Sequence, residues 1–195
     1  MSWLPSTTML ALAMLAVASA PPTTQNNDRF KPPESFTANA EFQGGTAAAA
    51  TTIKLSIDRY TPDAEREAVL QALTTGGYQG FVTALRKAPA VGKITIGDQS
   101  YDVRWARMQP LKDGRSIVLV TDKPIHYIGG GRPDAKPREG FDVAVFRFQV
   151  NSVGMGTGGE IALAAKVKRD ESGGIVVSDY ADKMTKIGWI TRDIK

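Results

Sequence analysis

Two short stretches are apolar on both faces of an extended chain, and they limit the possible folds more than any other feature. In the first, Ile117 and Leu119 alternate with Val118 and Val120; in the second, Val143 and Val145 alternate with Ala144, Phe146 and Phe148. Side chains of a strand point to alternate sides of a sheet, so neither face of these strands can meet water. The first stretch closes a hairpin that runs from Ser100 to Tyr127. In its outgoing arm Tyr101, Val103 and Trp105 alternate with Asp102, Arg104 and Ala106, and Lys112-Asp113-Gly114-Arg115 has the composition of a turn.

The rest of the chain supplies what could cover such strands. Phe36, Ala38, Ala40 and Phe42 alternate with polar or small residues, as do Ile53, Leu55 and Ile57 with Lys54, Ser56 and Asp58. At Thr61-Pro62-Asp63 the period changes from strand to helix: Thr61 suits the cap, Pro62 the first helical position, and Asp63 and Glu65 the positive end of the helix dipole. Ala64, Ala68, Val69, Ala72 and Leu73 share a face, and Gly76-Gly77 stops the helix. A second short helix, about Tyr78 to Arg86, groups Phe81, Val82 and Leu85. From Val91 onward the chain reads as β, with strands expected at 91–97, 100–108, 116–122, 141–150, 160–169, 174–181 and 184–192. The expected fold class is α+β, mainly antiparallel β. It is a curled sheet or β-barrel of about 8–9 strands with a two-helix insertion after strand 2, the helices covering one outer face.

The N-terminal region points to export. Residues 1–20 carry no charge, Met9 to Val17 is apolar, and Ala16-Val17-Ala18 fits a small-x-small cleavage pattern. The run is about half of what a membrane span needs, so no transmembrane span is expected after signal removal. The expected organisation is a signal peptide over 1–18, a Pro-rich linker over 19–34 and one β-rich domain over 35–195. The expected location is periplasmic or secreted. With no cysteine, such a domain has neither a disulfide nor a thiolate metal site and rests on its core.

Several segments together resemble a family of bacterial exported proteins of unknown function: IDRYTPDAEREAVLQAL at 57–73, VGKITI at 91–96, YDVRWARMQPL at 101–111, LVTDKPI at 119–125 and EIALAAKV at 160–167. The resemblance implies an exported single domain. It brings no activity and no functional residues with it.

Chemistry has few footholds. His126 is the only histidine, with Asp122 four residues before it and Tyr127 beside it. An Asp–His pair at the hairpin exit could orient an imidazole for acid–base work; a lone loop histidine is more often a solvated residue. The link over 123–140 is too long for a hairpin turn and rich in Gly and Pro. Gly129-Gly130-Gly131-Arg132 lacks the Lys-Ser/Thr of a P-loop, and Gly154 to Gly159 is followed by a strand rather than a helix, so neither predicts a nucleotide site. One histidine and no His-x-x-x-His or EF-hand spacing give no metal site, and no cofactor is expected.

Arg107 is expected on the face of Val103 and Trp105, and Arg147 on that of Val143 and Val145. A charge among apolar neighbours is paired or at a rim, for instance with Asp102 or Asp142, or it binds an anion at a barrel mouth. Trp105 and Trp189 read first as wall aromatics and second as ligand platforms. The net charge of +4 is mild, and residues 81–140 hold 11 Lys+Arg against 6 Asp+Glu without clustering, so no nucleic-acid partner is expected. The expected function is that of a non-enzymatic binding or cell-envelope accessory protein. It would take a small apolar, amphipathic or anionic ligand at the barrel mouth near Trp105, Arg107 and Arg147. The alternative is an enzyme working through Asp122, His126 and Tyr127. Nothing in the residues sets an oligomeric state.

Overall fold

The computed structural model describes residues 31–42, 49–125, 140–156, 158–169, 175–179 and 184–193. The chain starts with strands β1 (Glu34–Phe42) and β2 (Ala49–Ile57) and the helical element α1 (Asp63–Lys87). Strands β3 (Gly92–Ile96), β4 (Gln99–Leu111), β5 (Gly114–Thr121) and β6 (Val143–Asn151) follow. The two-residue β7 (Met155–Gly156), β8 (Gly159–Arg169), β9 (Ile175–Asp179) and β10 (Thr185–Arg192) complete it. Every strand pairing is antiparallel. Neighbours run β10-β1-β2-β3-β4-β5-β6-β8, and β8 pairs again with β10, so eight strands form a ring.

Alternation fills both sides of this ring. Phe36, Ile53, Leu55, Ile94, Val103, Ile117, Leu119, Phe146, Phe148, Ile161 and Ile190 belong to one inner cluster, with Phe36 and Phe148 meeting edge to face at 5.4 Å. The outer residues of the doubly apolar strands, Val118, Val120, Val143 and Val145, join a second cluster with Val69, Leu73, Phe81, Val82 and Leu85 of α1. The expected division is therefore realised: one face of β5 and β6 lies in the ring and the other lies under the helix.

The expected break at Gly76-Gly77 is present: α1 is one element interrupted at Gly77, whose φ of 61° and ψ of −157° are open to glycine but strained for other residues. Two other local expectations change. Thr61 does not cap the helix. Its Oγ1 accepts from Ala106 N at 2.9 Å and its own N–H donates to Ala106 O at 2.9 Å, so it ties the helix start to β4 instead. Finally, the register of β4 against β5 shifts between Val103 and Trp105. The extra residue, Arg104, puts Val103 inside the ring and Trp105 outside, so Arg107 shares a face with Trp105 but not with Val103.

Glu34, counted above with the linker, is the first residue of β1 and is 3% exposed. It points into the ring, in phase with Phe36 and Ala38. Arg115 of β5 lies in phase with Ile117 and Leu119 and is 1% exposed. Arg115 donates twice to Glu34, from Nη1 to Oε1 at 2.8 Å and from Nη2 to Oε2 at 2.6 Å. The Tyr60 hydroxyl donates to Glu34 Oε1, Arg192 Nε lies 3.2 Å from Oε2, and the Arg115 guanidinium sits 5.6 Å from the Phe36 ring centre. Burial and the contact with Glu34 push the Tyr60 phenol well above its ordinary range.

Candidate functional site

The hairpin exit is a structural joint. Asp122 is buried, and its Oδ2 accepts from Arg104 Nε at 2.9 Å. Arg104 also reaches Asp102 Oδ2 at 3.2 Å and the carbonyl of Ala88 at 3.1 Å. From α1, Arg86 Nε donates to the Asp122 carbonyl at 3.2 Å, and Arg86 Nη2 lies 3.9 Å from Asp142 Oδ1. The Tyr78 hydroxyl donates to Ala165 O at 2.9 Å and accepts from Asp142 N at 2.7 Å. Its pKa is pushed up to about 12, chiefly by burial. The helix thus grips the chain on both sides of the 123–140 link. The carboxylate of Asp122 is used by Arg104, and His126 and Tyr127 lie outside the described residues.

The three ligand candidates share the outer surface of the ring. Trp105 is 8% exposed and packs in the cluster beneath α1, with its indole Nε1 buried and unpartnered among the described residues. Arg107 is exposed and stands opposite Val118, which stands opposite Arg147. Arg147 in turn faces Glu160 and donates to its Oε2 at 2.9 Å, and Glu160 faces Lys186. The register therefore brings Arg107 and Arg147 into one row across the sheet, with Trp105 two residues along β4. This row is a belt on the outside of the wall, whereas the interior is filled by the ring's own side chains.

A concave surface lies at the other end of β5. A groove of about 730 Å³ is lined by Leu111, Lys112, Asp113 and Gly114 of the β4–β5 turn, Gln149, Val150 and Asn151 of β6, Met155 and Gly156 of β7, and Trp189, Ile190 and Thr191 of β10. A smaller one of about 440 Å³ adjoins it at Gln149 and includes Arg147, Glu160 and Lys186.

Local structure explains the larger groove. Asn151 Oδ1 accepts from the backbone N–H groups of both Val153 and Met155 at 3.0 Å, which shapes the turn into β7. Arg192 N then donates to Gly154 O at 2.9 Å and fixes that turn to β10. A Cβ at Gly156 would lie 2.0 Å from Gln149 O, so only glycine allows β7 to close against β6. Across β10 the register shifts where Asn39 faces Trp189 and Ala40 faces Ile187. The extra residue, Gly188, lets Ile187 and Ile190 both turn inward while Trp189 stays outside, 46% exposed.

Trp189, expected first as a wall aromatic and second as a ligand platform, lines this groove with Leu111 and Met155, which no motif in the sequence singles out. The available signal was Gly188 beside a tryptophan in a strand, since a strand glycine often marks a bulge. Among the described residues no group of three or more His, Cys, Asp or Glu could hold a metal ion, and no helix is long and apolar enough to cross a membrane. Comparison with protein-family models, curated proteins and solved structures yields no match to this chain.

Proposed function

We propose that this is an exported, non-enzymatic binding or cell-envelope accessory protein. Its eight-strand ring serves as a rigid β-barrel that presents a small apolar or amphipathic ligand site on its rim. One observation carries the reading. Of the five large apolar side chains that stand exposed among the described residues, Leu111, Met155 and Trp189 line the same groove, and Val153 sits in the turn beside it. Exposed apolar surface gathered in one place marks a binding site. A volume of about 730 Å³ is in the range of small-ligand pockets. The groove replaces the surroundings of Trp105 as the site, because Trp105 is covered by α1.

The test is a thermal-shift survey of the purified protein against small amphiphiles. A ligand at a hundred times its Kd stabilises by about 2.7 kcal/mol, an easily read shift in Tm. Loss of that shift in Trp189→Ala supports the groove. A survey in which nothing raises Tm, or in which Trp189→Ala responds like the parent, removes it. Export is tested separately by N-terminal sequencing of the mature protein, with cleavage expected after Ala18.

A further inference from the structure

Resting on that reading of the groove, we infer that its ligand is an uncharged saccharide. The lining contains one Lys and one Asp, the neighbours Lys112 and Asp113, and no other charged side chain. In a chain of net charge +4, the groove is therefore a neutral surface. Its lining carries no net charge that would select an anion over a cation or the reverse.

A pure hydrocarbon fits no better. Gln149, Asn151 and Thr191 bring amide and hydroxyl groups to the lining. Covering such groups without a partner costs about 1–3 kcal/mol each. Asn151 is oriented by its own turn: its Oδ1 is held by two backbone N–H groups, so its NH₂ is left as a donor for the ligand. A polar ligand with an apolar face satisfies both halves of the lining. A sugar ring has one: its C–H groups stack on the indole of Trp189, and its hydroxyls both donate to and accept from the amides. Trp189 is well suited to this, because it offers a broad rigid face with only two side-chain torsions to freeze. The volume of about 730 Å³ is of a size to hold a short oligosaccharide.

The experiment is a tryptophan-fluorescence titration of the full chain with chitotetraose, cellotetraose and maltotetraose, set beside the neutral apolar probe N-phenyl-1-naphthylamine. The parent is compared with Trp189→Ala and Gln149→Leu, each checked for an unchanged Tm. The expected result is saturable binding of at least one tetrasaccharide, weakened tenfold or more by each substitution. For Trp189→Ala, whose own signal is lost, binding is read by calorimetry. Four outcomes have distinct meanings. Saccharide binding that depends on Trp189 and Gln149 supports the inference. Binding of the naphthylamine alone, still dependent on Trp189, overturns the saccharide and keeps the groove as a ligand site. Saccharide binding indifferent to both substitutions overturns the placement. Failure of every probe to bind the parent overturns both readings.

Discussion

At the end of the ring where β1 begins, two guanidiniums, a carboxylate and a phenol meet inside the strands. At the end where β5 stops, two guanidiniums and three carboxylates meet outside them, between the sheet and α1. The inner pair is out of water, with the side chains of Arg115 and Glu34 2% and 0% exposed, and it has the forked two-bond geometry that a desolvated ion pair requires. The outer set is wetter: Arg104 and Asp122 are 23% and 11% exposed, Arg86 and Asp102 more so. Water can replace a lost partner at the outer joint but not at the inner one. Similar ion pairs should therefore contribute very different amounts to stability.

Substitutions can break that contrast. Arg115→Met leaves the Glu34 carboxylate buried with less compensation and should lower stability by about 3–5 kcal/mol in urea unfolding. Replacing both partners, Glu34→Leu with Arg115→Met, should recover much of that loss, because the lone buried charge is gone. A single variant as stable as the parent would mean that water reaches the inner pair. At the outer joint Arg104→Met should cost about 1.5–3 kcal/mol, the range for a hydrogen bond to a charged group. If it costs more than Arg115→Met, the ranking of the two ends is reversed.

The tyrosines sharpen the comparison along the pH axis. Folded Tyr78 keeps its proton up to about pH 12, whereas an unfolded tyrosine loses it near 10. Between those values the folded state binds more protons, so this contribution is complete below pH 10 and is lost as pH rises toward 12. Tm followed from pH 9 to 12 should fall, and less steeply in Tyr78→Phe. An unchanged slope in that variant would shift the effect to the inner Tyr60. The smallest effect belongs to the belt on the outer wall. The Arg147–Glu160 pair is 64% and 40% exposed, so Arg147→Ala should change stability by less than about 1 kcal/mol, as chemical denaturation would show.

The architecture was legible in the residues because apolar periodicity records burial directly. The two-sided runs at 117–120 and 143–148 specify strands covered on both faces, and the ring with its helix provides that cover. Gly76-Gly77 marked the break in the helix to within a residue. Face assignments failed where a strand holds an extra residue. A single bulge at Arg104 reverses the parity that placed Val103 with Trp105, and Gly188 does the same beside Trp189. The inner ion pair was readable and was missed: Glu34 and Arg115 each stand two residues before an inward apolar residue, in phase with it. Two opposite charges in phase with the buried face are the sequence mark of a buried pair, although alternation alone cannot say which strands bring them together. The groove was less legible still, because Leu111, Met155 and Trp189 come from three separate parts of the chain.

The position of Glu34 also sets an order of events. Its cationic partners among the described residues include Arg115, 81 residues later, and Arg192, on the last strand. That same last strand pairs with β1 along its length, Phe36 lying opposite Arg192. The first strand therefore cannot take its final neighbours until the last one has emerged. A chain delivered N-terminus first would pair β1 with β2 early but would keep the other edge of β1 open, with the Glu34 carboxylate in water, until β10 arrives. Closure between sequence-distant strands is slow, so the chain would remain open, and accessible to chaperones, until β10 arrives.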